Sequence, residues 1–208
     1  RSLENLKTDY LDLYQIHWPS GSFKSEMVPV SETMEALNHL KQQGKIRAIG
    51  VSNFSREQVA EAQQYGQIDS VQPPYSLFWR QAETELIPYC VENDMTVLAY
   101  SSLAQGLLTG KFGADHQFEQ GDHRAKNKLF QGENYQRALS AIAQLRPLAE
   151  NKGCTLAQLA LAWLIAQPHT CAIAGARNAE QALANAKALN VQLSEVELNE
   201  IDQIGRGV

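Results

Sequence analysis

The sequence predicts an α/β barrel of parallel strands, and three observations predict it. Short apolar runs of strand length alternate with segments of helical periodicity along the chain, the pattern of strands joined by crossover helices. Each run ends in a cluster of polar or aromatic residues, and in parallel α/β folds ligands sit at those carboxyl ends. The rival architecture, a doubly wound dinucleotide fold, needs a Gly-rich turn after its first strand. The stretch QIHWPSGS holds a single glycine, so the barrel is favoured.

The elements follow in order. Residues 10–16 form the first run, which ends at His17. Val30, Met34, Leu37 and Leu40 then share one helical face, and Gly44 closes that helix. The second run, 46–51, ends at Ser52 and Asn53, and Ser55 with Gln58 has the spacing of a capping box that starts a helix. The third run, 68–71, ends at Gln72 and Tyr75. Leu86, Ile87, Cys90 and Val91 make an apolar stripe, broken by Asn93 and Asp94 before the fourth run, 95–99, which ends at Tyr100 and Ser101.

From 103 to 133 the periodicity vanishes, which predicts a long loop; loops of that length are functional lids or disordered insertions. Helices are expected over about 135–152 and 155–166, the second opened by a Thr155–Gln158 box. A fifth run, 171–174, ends at Gly175 and Arg177. Helices over about 179–188 and 195–204 complete the chain, the last opened by a Ser194–Glu197 box.

A chain of 208 residues is long enough for a sizeable core, burying roughly 70% of its unfolded surface. With 44% hydrophobic and 20% charged residues, neither disorder nor a fibrous repeat is indicated. A net charge of -5 without a basic run argues against a nucleic-acid partner. No apolar stretch reaches the roughly 20 residues that cross a bilayer. The opening RSLENLKTDY lacks the apolar segment of a secretion signal, so no membrane partner and a cytoplasmic location are expected. Cys90, Cys154 and Cys171 lie far apart without metal-ligand spacing and read as reduced core thiols. No metal site is expected. The first residue is Arg1 rather than methionine, as expected of a fragment or a processed product.

Six segments in this order resemble the aldo-keto reductase superfamily: YLDLYQIHWP at 10–19, GKIRAIGVSNF at 44–54, QPPYS at 72–76, LAYSSLAQGLLTGK at 98–111, GDHR at 121–124 and AIAGARNAEQALAN at 172–185. The resemblance implies an NADPH-dependent oxidoreductase that reduces aldehydes or ketones to alcohols by hydride transfer, acting on a small-molecule carbonyl. It also implies the (β/α)8 TIM-barrel fold. Here the six segments correspond to strands four to eight, so the resemblance implies an incomplete barrel of about five parallel strands. Residues 1–208 are then a partial NADP-dependent oxidoreductase domain that lacks the first three strands.

Residue by residue, the resemblance makes His17 the histidine that orients and polarises the substrate carbonyl. Ser52, Asn53 and Gln72 match the groups that hydrogen-bond the nicotinamide carboxamide, and Tyr100 matches the ring that stacks on the nicotinamide. Ser101, Leu103, Gln105 and Lys111 fall where the family holds the pyrophosphate. Gly175, Arg177, Gln181 and Asn185 fall where it holds the adenosine 2'-phosphate. These types also make chemical sense unaided. A carboxamide needs donors and acceptors, a flat heteroaromatic ring gains from an offset aromatic partner, and a guanidinium before a helix start suits a phosphate. Arg177 therefore favours NADPH over NADH. Ala184 stands where many members place an acid that contacts adenine, which implies weaker adenine binding.

His123 and Arg124 either close over the pyrophosphate or are simply solvated. Arg177 also admits the reading of an exposed charge at a helix start, and Tyr100 that of a core residue. The tyrosine, lysine and aspartate that tune and deliver the family's catalytic proton have no counterpart in this chain, so they are expected outside it. Two other readings stand beside the reductase: a non-catalytic nucleotide-binding regulatory subunit like the potassium-channel β subunits, and an inactive fragment.

Overall fold

The computed structural model describes residues 1–208, and the chain folds as two units, Arg1–Pro73 with Ala82–Leu98 and Pro74–Gln81 with Ala99–Val208. The first unit begins with helix α1 (Ser2–Leu6) and strand β1 (Leu11–Ile16), followed by α2 (Val30–Gln42) and β2 (Ile46–Ser52). Helix α3 (Arg56–Gln63), strand β3 (Ser70–Gln72) and helix α4 (Leu86–Glu92) lead to β4 (Thr96–Ala99), whose first three residues belong to this unit. Neighbouring strands pair in parallel in chain order, with Ile16 opposite Val51, Ser52 opposite Gln72 and Val71 opposite Val97. That register brings the ends of β1, β2 and β3 level with one another.

Strand β2 shows why the sheet is parallel and covered. Ile46, Ile49 and Val51 are all buried, the near-continuous apolar run of a strand packed on both faces. Met34 from α2, Val59 from α3 and Cys90 from α4 are fully buried too, as are Val71 and Val97 of the sheet. The Ser55 hydroxyl accepts from the Gln58 amide at 3.3 Å, and the Gln58 side chain accepts from the Ser55 amide at 2.8 Å, so the predicted box fixes the start of α3.

The second unit carries Ala99 and then helices α5 (Gly132–Asn151) and α6 (Leu156–Ile165), strand β5 (Thr170–Ala172), and helices α7 (Ala179–Ala186) and α8 (Glu195–Arg206). Eight of the ten residues of α6 are buried, as expected of a helix apolar on nearly every side. Its Trp163 packs edge-on against Tyr75 with ring centroids 6.0 Å apart. The remaining two boxes also form, at Thr155–Gln158 and Ser194–Glu197. The Ile173 amide donates to the Ala99 carbonyl at 2.9 Å, which sets the exit of β5 beside the end of β4.

Two expectations are corrected. The stretch 103–133 is not a structureless loop: it holds 3₁₀ turns at Ala104–Thr109, His123–Lys126 and Lys128–Phe130, and α5 starts at Gly132. Its order comes from rings that are scattered in sequence but meet in space. Phe112 lies 4.7 Å from His116, 5.6 Å from Phe118 and 5.7 Å from Phe130 between centroids, and the Tyr135 hydroxyl donates to the Gly113 carbonyl at 2.7 Å.

The second correction concerns the thiols. Only Cys90 is buried, while Cys154 is half-buried and Cys171 exposed. Strand alternation places Thr170 on the covered face of β5 and turns Cys171 to the other. Burial pushes the Cys90 thiol up to about 11, which keeps it protonated and inert.

Candidate functional site

The first unit brings four of the predicted residues together. Because β1, β2 and β3 end level, His17, Ser52, Asn53 and Gln72 emerge side by side. The Asn53 side-chain amide donates to the His17 carbonyl at 2.9 Å and to the Ser52 hydroxyl at 3.1 Å, and that hydroxyl donates to the Gln72 carbonyl at 2.9 Å. The Asn53 backbone amide donates to the same Gln72 carbonyl at 3.3 Å. Asn53 sits at φ 62°, a left-handed conformation that asparagine tolerates better than most side chains.

These bonds lock the backbone and leave other polar groups open. The Gln72 side-chain amide and the His17 imidazole take part in no hydrogen bond, and His17 is exposed. A donor and acceptor pair beside an imidazole is the equipment for holding a carboxamide and a carbonyl oxygen. Ser52, buried as it is, holds the neighbouring strand ends together.

In the second unit the predicted residues fall into two groups. Tyr100 is half-buried, and burial raises its hydroxyl above the ordinary tyrosine range. Its carbonyl accepts from the Tyr75 amide at 3.0 Å. The following turn is tight: Ser101, Ala104 and Gln105 all have positive φ, and Gly106 continues the left-handed run at 92°. Side-chain-bearing residues persist in that region only where the surroundings over-determine them, a feature that clusters at functional sites.

Leu103 receives the amides of Gly106 and Leu108 on its carbonyl, so its contribution is to the backbone of the turn. Gln105 accepts from the Asn127 side chain at 3.2 Å, and the Lys111 ammonium stands 4.8 Å above the Phe112 ring. Asn127 thus ties the ring-built segment to a predicted phosphate contact. In the same segment Arg124 reaches both carboxylate oxygens of Asp122, at 3.1 and 3.0 Å from its Nε and 2.5 Å from a terminal nitrogen. The Arg124 side-chain hydrogen bonds hold the Asp122 carboxyl down at about 2.

The second group lies between β5 and α7. The Arg177 amide donates to the Gln181 side chain at 2.9 Å, and the Asn185 side chain donates to the Gly175 carbonyl at 3.1 Å. Asn178 caps α7 by accepting from the Gln181 amide at 2.9 Å, a role absent from the sequence-based site and visible in the Asn-x-x-Gln spacing that precedes the helix. Gly175 is open to solvent, with nothing within 4 Å of where a Cβ would lie. The Arg177 guanidinium is exposed and has no hydrogen bond or ion pair. The Ser102 hydroxyl donates to the Ile173 carbonyl at 2.8 Å, so the two groups leave neighbouring strand ends.

Comparison with known proteins bears on the family of the chain. A family model described as the aldo/keto reductase family matches residues 1–206. The chain is 40% identical over 205 residues to the aldo-keto reductase YhdN of Bacillus subtilis, covering 98% of this chain and 60% of that protein. It is 41% identical over 197 residues to the NADH-specific methylglyoxal reductase of Escherichia coli, covering 94% and 59%. Among solved structures, a glycerol dehydrogenase from Gluconobacter oxydans superposes with a TM-score of 0.92 at 36% identity, covering 100% of this chain and 62% of that one. An aldo/keto reductase from Klebsiella pneumoniae, solved with NADP and acetate, superposes with a TM-score of 0.71 at 32% identity, covering 98% and 62%. The chain therefore spans about three fifths of the length of these relatives.

Proposed function

The chain belongs to the aldo/keto reductase family, and from that membership we propose that it supplies the cofactor-holding part of an NADPH-dependent carbonyl reductase. When bound, NADPH supplies the hydride that converts an aldehyde or ketone to an alcohol. In this reading Asn53 and Gln72 hold the carboxamide, Ser52 keeps their strand ends aligned, and Tyr100 offers its ring face to the nicotinamide. Ser101, Leu103, Gln105 and Lys111 receive the pyrophosphate. Gly175, Arg177, Gln181 and Asn185 shape the 2'-phosphate end. His17 orients the carbonyl oxygen through its exposed ring. The proton comes from the family tyrosine, which matches no residue of this chain.

The observation that carries the reading is Arg177. Its guanidinium is exposed and unpartnered immediately before α7, where a helix start adds N–H groups and a favourable dipole for an anion. Asn178, Gln181 and Asn185 meanwhile hold the backbone around it. This supports NADPH over NADH, although the Escherichia coli relative bears the name NADH-specific.

The test is cofactor discrimination. Titrated by fluorescence, Arg177→Ala should lower NADPH affinity about tenfold to a hundredfold and leave NADH affinity unchanged, as expected for removing a charge-assisted fork. Equal affinity of the unaltered chain for both cofactors would overturn the NADPH assignment. Turnover of a nitro-substituted benzaldehyde by a protein carrying this chain together with the tyrosine then tests the reductase activity.

A further inference from the structure

The second unit holds a cavity of about 810 Å³ lined by none of the residues proposed above to hold the cofactor, with His123 on one side of it, a volume usual for small-molecule sites. Phe78 and Trp79 give it an apolar wall, and its other sides carry Arg80, Lys126, Lys128 and Arg206 with no aspartate or glutamate among the lining residues. Its residues come from the 74–81 turn, the ring-built segment, the first turn of α5 and the end of the chain from α8 onward, all within one unit.

The charges there are unequal. One carboxylate, Asp202, serves both arginines: Arg80 at 2.5 Å through one oxygen and Arg206 at 2.7 Å through the other. The Arg80 guanidinium also lies 4.5 Å over the buried Trp163 ring, so it is held in place before any ligand arrives. Lys126 and Lys128 have no ion pair at all. Lys126 and Lys128, with no acidic residue among those that line the cavity, make it electropositive beside an aromatic wall, and such a site favours a ligand of opposite charge with a flat apolar body.

We propose that this cavity binds a small organic anion of the aromatic carboxylate class, with its ring against Phe78 and Trp79 and its carboxylate toward Lys126, Lys128 and the arginines. The proposal invokes none of the residues given to the cofactor, although Asn127 of the cavity wall donates to Gln105 at 3.2 Å.

Calorimetric titration of the 208-residue chain with naphthalene carboxylate tests the proposal, with naphthyl methanol as the neutral counterpart. The acid should bind saturably at one site and the alcohol about tenfold more weakly, and the exposed double variant Lys126→Gln/Lys128→Gln should lower affinity for the acid about tenfold, a loss of order one decade for two charge contacts. NADPH affinity should be unchanged in that variant. Absence of saturable binding, equal binding of acid and alcohol, an indifferent double variant, or a parallel loss of NADPH affinity would each overturn the proposal. Failure of NADPH to bind while the acid still binds would count against the cofactor reading alone.

Discussion

Asn53 ties β2 to β1 by donating its side-chain amide to the carbonyl of His17 at 2.9 Å. The bond connects the residue proposed to hold the carboxamide with the backbone that carries the proposed carbonyl-orienting imidazole. Asn53→Gly keeps the left-handed φ of 62° accessible but removes the side-chain bonds, so it should cost about 1–2 kcal/mol. Asn53→Ala removes the same bonds and adds left-handed strain of about 1 kcal/mol. Urea unfolding of the two variants should rank alanine below glycine. Equal stabilities would show that the backbone there is relaxed.

Acid should loosen the ring-built segment before it unfolds the chain. Asp122 is held at about 2, chiefly by the Arg124 side chain, below the usual carboxylate value of about 3.9. A carboxyl lowered on folding contributes above its unfolded value and loses that contribution as pH falls toward its folded one. Between about pH 4 and pH 2 the Arg124 anchor should fail, and proteolytic cleavage of residues 112–131 should accelerate. Arg124→Ala should show the faster cleavage already at neutral pH and a smaller acid step in that window, because the residue 124 backbone amide still donates to Asp122.

What could be read without coordinates was what depends on neighbours in sequence. The three capping boxes need only two side chains three positions apart, and all three form. The strand ends were visible because apolar runs stop abruptly at polar residues. The ring-built segment was opaque because Phe112, His116, Phe118 and Phe130 have no common period, and only their contacts create order. The exposure of Cys171 was hidden for a related reason: a three-residue strand is too short for alternation to reveal which face is covered. Of the proposed site, residue types and strand-end positions were legible, whereas the bonds from Arg177 to Gln181 and from Asn185 to Gly175 were not.

Gly205 marks a close approach. A Cβ there would stand 2.5 Å from Leu77 Cδ1 and 2.8 Å from the Leu77 carbonyl oxygen. Gly205→Ala should therefore destabilise the chain by about 1–3 kcal/mol through overpacking, despite the gain of up to about 1 kcal/mol in helix propensity. Thermal unfolding measures the balance, and a stabilised variant would mean that α8 can shift away from Leu77.

Gln158 does two jobs with one amide. Its oxygen accepts from the Thr155 amide at 3.0 Å, and its nitrogen donates to the Ala184 carbonyl at 2.8 Å while the residue is buried. Gln158→Glu preserves the capping geometry but replaces the donor with an acceptor, so stability should fall by about 1–3 kcal/mol at neutral pH. The deficit should shrink in mild acid, where the new carboxyl regains a proton and can donate. A deficit independent of pH in chemical denaturation would locate the cost elsewhere.

The positive φ values at Asn53, Ser101 and Gln105 restrict the alphabet at those places before any ligand is considered. Valine, isoleucine and threonine would be refused there by collision between their branched carbons and the main chain. Among related chains, the survival of asparagine at position 53 would then testify to a bend in the polypeptide as much as to chemistry, and could outlast the loss of catalysis.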